Sequence, residues 1–423
     1  MTSEIWIPSI DLISMIFLLK RRIGWTVIVG VMTIVIVGVR ISLIGNGFPP
    51  PAMESFIPSD TGSPQQSFAM LSSTLPPSPL KRNRKDWWEP YVDVVSVIYQ
   101  PSNQTKWCEQ IATSAHQKKT NNILTGMYLV KMPKTASSTS AAVALQIAES
   151  IALRKGLTKP CPTHVQHGSS YTSRQDPSFL WTVVRQPHKR DISQYFFSQI
   201  SRRGKKYDSK DLIRHLEEKK NNQFKYISQG MESYPLLVNT SQSTNKQLHA
   251  LERLSSVFQT YDFIAVTERM EESLVVMKLL HQFPDESIVV LNSKTSGGFD
   301  DGNYKQTCYK IQKSYTTEEV DHYIAKDYQK DNLDFLLYTV ANRSLDKTIE
   351  FLGQERVKKE VTRHRKLHQL AEDLCLKKAV YPCTKHGKPN RKSAQSCYFG
   401  DVGCGHKCVM DVIRNATKDE TNV

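Results

Sequence analysis

The chain has 423 residues, with 56 Lys and Arg against 41 Asp and Glu and a formal net charge of +15. That length accommodates one sizeable α/β core plus appendages, and the charge favours anionic partners without choosing among nucleic acid, anionic lipid, acidic glycan and a polyanionic nucleotide. No zinc-finger, RRM or helix-turn-helix signature occurs, which argues against nucleic acid.

The first predicted element is apolar. Ile23 to Val39 carries no charge and follows Lys20-Arg21-Arg22. Continued through Arg40 to Ile44 it reaches about the 20 residues of a spanning helix, with Arg40 near enough to the end to snorkel. The basic cluster precedes the span, so the N-terminus is expected in the cytosol and the rest in the lumen. A long leading region and the lack of a small-x-small cleavage site favour an uncleaved signal anchor over a removed signal peptide. Glycines and β-branched residues surround the segment without a polar face, which argues against a buried core helix. The expectation is a single-pass type II membrane protein, with residues 1–22 cytosolic and 23–44 in the membrane. Residues 45–85 read as a stem, because Asn46 to Leu80 holds eight prolines among Ser, Thr, Gln and Gly and cannot bury enough surface to fold. A globular domain is expected over 86–352, and a basic, Cys-rich extension over 353–423. Glycosylation triplets beginning at Asn103, Asn239, Asn342 and Asn415 agree with a lumenal location.

Met127 to Met132, between Gly126 and Pro133, reads as a buried strand. Ala144, Ile147, Ala148 and Ile151 then recur at helical spacing, and Gly156 ends that helix. Between and beside these elements lie Lys131, Pro133, Lys134, Thr135, Ala136, Ser137, Ser138 and Thr139. Strand, tight loop and helix N-terminus form an anion-holding unit, because free N–H groups and the positive dipole end converge there. Lys134 adds a point charge, and the hydroxyls add donors that small Ala136 leaves uncrowded. A Walker A loop needs glycine before the lysine. Pro133 stands there instead, which argues against ATP or GTP hydrolysis.

Cys161-Pro-Thr-His164-Val-Gln-His167-Gly168 follows. Two histidines three apart could ligate a metal, but no third ligand stands at a recognisable spacing. Phe179 to Val184 is a second apolar strand, running into Arg185-Gln-Pro-His-Lys-Arg190-Asp-Ile-Ser193. Ile192, Tyr195, Phe196 and Ile200 give another helical stripe. Arg185 supplies a charged fork for a second phosphate, and Ser193 a hydroxyl from the first helical turns. Arg202-Arg-Gly-Lys-Lys206 and the charged helix from about Asp211 to Lys220 read mostly as solvated surface, with the basic cluster alternatively meeting an acidic acceptor.

Tyr261 to Leu280 reads as a strand, a helix start near Thr267 and an amphipathic helix. Leu291 to Gly298 is a Gly-rich loop that reads either as a turn or as a flap over a bound anion, with Lys294 as a candidate phosphate ligand, and Tyr328 to Phe351 is one long helix or a helical pair. The tail holds five of the eight cysteines: Cys375, Cys383, Cys397, Cys404 and Cys408. No paired C-x-x-C supports zinc at Cys404-Gly-His406-Lys-Cys408, and an oxidising lumen favours disulfides of undetermined connectivity. Alternating strands and helices imply an α/β fold with a central parallel sheet flanked by helices and ligands at strand C-terminal ends.

The segment Pro133-Lys-Thr-Ala-Ser-Ser-Thr139 resembles the 5′-phosphosulfate loop of membrane-bound Golgi carbohydrate sulfotransferases. Arg185, Pro187, Arg190 and Ser193, about fifty residues on, are similar to their 3′-phosphate motif, with Gln186 where the family usually has Asp. The likeness is to the galactose-3-O (cerebroside sulfotransferase) type and also the heparan-sulfate 2-O type. It extends loosely over Tyr128 to Phe351, including a Thr267-Glu268 pair before the Glu-Ser-Leu helix. It implies a P-loop-type sheet and 3′-phosphoadenosine-5′-phosphosulfate (PAPS) as donor with no metal. It also implies a carbohydrate or glycolipid acceptor, and a histidine base between the two motifs. A sugar hydroxyl is a poor nucleophile, so a base of near-neutral pKa suits the chemistry. His167 is the first choice, because Gly168 would let an acceptor approach closely, and His164 is the rival. The resemblance implies transfer to galactose O3 or, alternatively, to a uronyl O2. A lumenal kinase or NTPase and a non-catalytic glycan-binding membrane protein are the competing classes.

Overall fold

Strands Gly126–Val130 (β1), Thr163–Gln166 (β2), Ser178–Val184 (β3) and Phe263–Val266 (β4) form a four-stranded sheet in the order β2-β1-β3-β4. All three pairings are parallel, with Tyr128 beside His164 and Leu180, and Val184 beside Val266. Every residue of β1, β3 and β4 is buried. A parallel sheet covered on both faces demands such continuous apolar runs rather than alternation. The computed structural model describes residues 88–101, 126–167, 178–229, 243–291, 297–300, 307–390 and 405–421. The expected membrane span, the stem, the triplets at Asn103 and Asn239, Gly168, Lys294, Cys108, Cys397 and Cys404 lie outside them. Among the described residues no helix is long and apolar enough to cross a membrane.

Among the described residues, a one-turn helix at Val92–Val95 is followed by ten longer helices that flank this sheet or extend from it. They are Ser137–Arg154 (α1), Pro187–Tyr195 (α2), Ser209–Lys219 (α3), Asn222–Ile227 (α4) and Ser243–Thr260 (α5), then Met270–His281 (α6), Glu318–Tyr323 (α7), Leu333–Leu352 (α8), Gln354–Cys375 (α9) and His406–Thr421 (α10). A two-stranded antiparallel hairpin, Phe299–Asp300 (β5) with Tyr309–Lys310 (β6), stands apart from the main sheet. In α1 the buried Ala141, Ala144 and Ala148 let the backbone approach the strands closely, and Gly156, at φ +68, turns the chain after its end. The segment Phe196–Ser201 continues α2 as a π-helix, with the Arg202 amide bonded five residues back to the Phe197 carbonyl.

The main core gathers Trp181, Phe179 and Leu180 of β3 with Leu336, Leu337 and Val340 of α8. The residues after Gly353 fold onto the same core. Val357 and Val361 of α9 join it, while Leu367 and Ala371 pack with Val409 and Ile413 of α10. Disulfides join Cys308 to Cys383 and Cys375 to Cys408, and Cys161 is also disulfide-bonded. Cys408 is therefore committed to sulfur rather than to zinc.

Candidate active site

The loops after β1 and β3 open into one cleft of about 440 Å³ at the C-terminal ends of the parallel strands. Lys134, Ser137, Ser138, Thr139, His167, Arg185 and Ser193 line it together, and Pro133 and Ala136 complete the first loop. Lys131, Thr135 and His164 lie off the cleft. Lys131 and Thr135 are buried, and the Thr135 hydroxyl donates to the Met132 carbonyl at 3.0 Å. That hydroxyl shapes the loop rather than facing a ligand.

The first loop is curled by backbone conformation. Lys134 (φ 67) and Ala136 (φ 55) are both left-handed, a region costing a non-glycine residue roughly 1–2 kcal/mol. Such alternation makes a concave nest of N–H groups. Helix α1 starts at Ser137 without a side-chain cap from Ala136. The first-turn amides of Ser137, Ser138 and Thr139 have no intrahelical acceptor, so the cleft receives uncapped donors at a positive dipole end.

Arg185 fastens the two loops. Its guanidinium donates to the Lys134 carbonyl at 3.1 Å, and its Nε lies 3.8 Å from Glu268. Burial pulls the Arg185 pKa down, an effect Glu268 opposes. The Arg185 backbone is held by the Gln223 side chain, which accepts from its N–H at 3.0 Å and donates to its carbonyl at 2.9 Å. Gln223 is in turn fixed by Asp334, which accepts from the Gln223 and Phe224 amides at 3.0 and 2.7 Å and so caps α4. Glu268 also accepts from the Gln186 amide at 3.2 Å, and the Thr267 hydroxyl donates to the Val184 carbonyl at 3.0 Å. Gln186 is thus held by its backbone, and the Thr267-Glu268 pair braces the second loop.

Arg190 is buried behind the first loop. It pairs with Asp191, its Nε donates to the Pro133 carbonyl at 3.4 Å, and the Asn222 amide oxygen, turned toward it, accepts at 2.9 and 2.8 Å. The Tyr328 hydroxyl donates to the other Asp191 oxygen at 2.6 Å. Burial raises the pKa of both Asp191 and Asp334, the latter to about 7.

The histidines separate cleanly. His167 Nδ1 lies 2.8 Å from the Lys131 carbonyl, which also accepts from the Tyr226 hydroxyl at 3.1 Å. A carbonyl only accepts, so Nδ1 carries the proton and the neutral ring keeps its lone pair on Nε2. His164 instead stacks on Tyr128 with ring centroids 4.6 Å apart, and burial lowers its pKa.

Beyond the two loops, the cleft is also lined by Phe197, Arg202, Asp300 and Gln312. Arg202 pairs with buried Asp300 at 2.7 Å. Lys134 Nζ lies 4.0 Å and the Arg202 guanidinium carbon 4.3 Å from the Phe197 ring centroid. Sequence patterns do not pick out Gln223, Asp300 or Phe197, and a run of five basic-rich residues hides Arg202. Among the described residues no three His, Cys, Asp or Glu side chains converge as a metal site.

Uncapped helix amides, Lys134, Arg185 and an imidazole oriented by a carbonyl thus face one cleft, an arrangement suited to an anionic ligand. No family model matches the chain, and no curated protein matches it significantly.

Proposed function

We propose that this protein is a PAPS-dependent carbohydrate sulfotransferase, acting on a galactose 3-hydroxyl of a glycan or glycolipid, and held in the Golgi membrane as a single-pass type II protein. One observation carries the proposal. Lys134 and Arg185, from the two motifs that resemble phosphosulfate- and 3′-phosphate-binding segments, line a single cleft and are joined at 3.1 Å. The residues present suit such a nucleotide: uncapped helix amides and a lysine at one loop, a guanidinium and the Ser193 hydroxyl at the other. Bound there, PAPS supplies an activated sulfuryl group.

Lys134 and the first-turn amides of α1 hold the 5′ side and offset the charge that develops on the leaving phosphate. Arg185 and Ser193 hold the 3′-phosphate and so fix the donor's orientation. His167 Nε2 takes the proton from the acceptor hydroxyl as its oxygen attacks sulfur in line, while the Lys131 carbonyl holds the ring and favours the imidazolium that forms.

The test is transfer of radiolabelled sulfate by the full chain to galactosides, glycolipids and uronic-acid polymers, with adenosine 3′,5′-bisphosphate binding measured alongside. Transfer to a galactoside, lost in Lys134→Ala, supports the proposal. Transfer only to uronic-acid polymers moves the acceptor to a uronyl 2-hydroxyl. Bisphosphate binding undetectable at millimolar ligand, with no transfer to any acceptor, would overturn it in favour of a non-catalytic glycan binder or an ATP-dependent enzyme.

A further inference from the structure

The hairpin β5–β6 is too short to hold itself. Two residues per strand pair, Phe299 with Lys310 and Asp300 with Tyr309, whereas even a longer isolated hairpin is only marginally stable in water. Yet this hairpin brings Asp300, Ile311 and Gln312 to the cleft. Backbone bonds between Gly297, Gly298 and Ile311 extend it slightly, and one side of it is held by the C-terminal extension. Cys308, directly before β6, is bonded to Cys383. Cys383 begins a tight turn closed by the Thr384 amide on the Lys388 carbonyl at 2.9 Å and the Asn390 amide on the Pro382 carbonyl at 2.8 Å. Gly387 of that turn, at φ +75, lies so flat on Phe299 that a Cβ there would stand 2.4 Å from its ring. The hairpin's other side is fixed by the Gln312 amide donating to Ser201 Oγ at 3.0 Å and by the Asp300–Arg202 pair.

These ties run in series from Cys383 and Gly387 to Phe299, Asp300 and Arg202. The Phe197 ring packs against both Lys134 Nζ and the Arg202 guanidinium, so this wall borders the same cleft as the two loops, and on the sulfotransferase reading it is the part of the cleft where an acceptor would sit. A buried carboxylate disfavours a further anion there, and with its charge answered by Arg202 it suits hydroxyl donors of an uncharged ring.

We infer that the turn Cys383–Asn390 is a built part of the acceptor subsite, with Cys383 and Gly387 acting as positioning residues for Asp300 and Arg202, and that the ring seated there is a neutral sugar. The inference rests on the sulfotransferase reading for its ligand, though not for its mechanics.

The test compares the full chain with Cys308→Ser/Cys383→Ser, Gly387→Ala and Asp300→Asn. Hydrogen exchange at the Ile311 amide, which donates to the Gly298 carbonyl across the hairpin, and at the Gln312 amide, which donates to Ser201 Oγ, is expected to speed up at least tenfold in the first two, while β1 and β3 amides keep their protection. The KM for methyl β-galactoside is expected to rise about tenfold in all three, the scale of one lost charge-assisted contact, with adenosine 3′,5′-bisphosphate affinity changed less than twofold. Unchanged exchange in the disulfide variant overturns the inference. So does a bisphosphate affinity that falls in parallel with the galactoside KM, because the wall would then belong to the donor. A wild-type chain that binds no bisphosphate sinks the sulfotransferase reading instead, and exchange still decides the positioning role.

Discussion

The guanidinium of Arg185 donates to the carbonyl of Lys134 at 3.1 Å, so the end of β3 is hydrogen-bonded to the loop after β1. One side chain therefore both bridges the loops and faces the cleft. A lysine at 185 has no planar fork and cannot serve both partners at once. Arg185→Lys is expected to weaken adenosine 3′,5′-bisphosphate binding about tenfold, and Arg185→Ala about a hundredfold, on the scale of 1.5–3 kcal/mol for charged hydrogen bonds. Titration calorimetry checks this; an Arg185→Lys affinity equal to that of the parent would remove the dual role.

His167 and His164 make a paired prediction. With Nδ1 on the Lys131 carbonyl, His167 presents Nε2 as base. His167→Ala should lower kcat by about 10²–10⁴, the usual contribution of a general base, and leave bisphosphate affinity within twofold. His164→Phe keeps a ring on Tyr128 and should leave kcat within a few-fold. The reverse pattern in single-turnover assays would exchange the two roles.

Gln223 is wholly buried and answers both backbone groups of Arg185. Gln223→Ala leaves an N–H and a carbonyl without their partner, at about 1–3 kcal/mol each. Urea unfolding should show a fall of about 2–4 kcal/mol, with bisphosphate affinity reduced as well. Gln223→Glu keeps the acceptor and loses the donor, so it should fall between.

Acid should unfold this protein partly through histidine. Burial against Phe179 and Phe283 lowers the His281 pKa to about 3, and burial lowers that of His364 to about 4. The unfolded chain takes up those protons near pH 6.5 and the folded one refuses them. Their stability is therefore fully present above pH 6.5 and lost as pH falls toward 4 and 3. Asp334 works oppositely. Its raised pKa gives stability that is complete below its ordinary value near 3.8 and lost as pH rises through about 7. His281→Phe should reduce the loss between pH 7 and pH 5 by about 2 kcal/mol. Equal losses in parent and variant, by denaturant titration at both pH values, would exclude His281 as a source.

How far the fold can be read from sequence depends on the distance between partners along the chain. β1, α1 and β3 are visible because an unbroken apolar run or a helical stripe is a local property. Lys134, Ser137 and Arg185 are visible because strand, loop and helix are contiguous. Gln223 meets Arg185 from 38 residues away, and Asp300 meets Arg202 from 98. No local pattern marks either, and Arg202 looks like any solvated arginine until its carboxylate is in place. Helix α9 is masked differently. Val357, Val361, Leu367 and Ala371 carry a proper apolar stripe, but the density of Lys and Arg around it reads first as a basic extension beyond the domain.

The π-helical stretch Phe196–Ser201 has an unusual bearing on Arg202. Such a segment behaves as an α-helix carrying one surplus residue, and each residue turns an α-helix by about 100°. In an ordinary α-helix an added or lost residue rotates everything after it by about that angle, but the widened turn absorbs its surplus residue. Removing one there, for example Ser198, would therefore restore ordinary winding and leave the next turn nearly in phase. Arg202 would then keep its bearing toward Asp300. A chain shortened by one residue there is expected to keep both walls of the cleft, whereas one lengthened by a residue would swing Arg202 away, so the winding of this helix, as much as its composition, is what the cleft depends on.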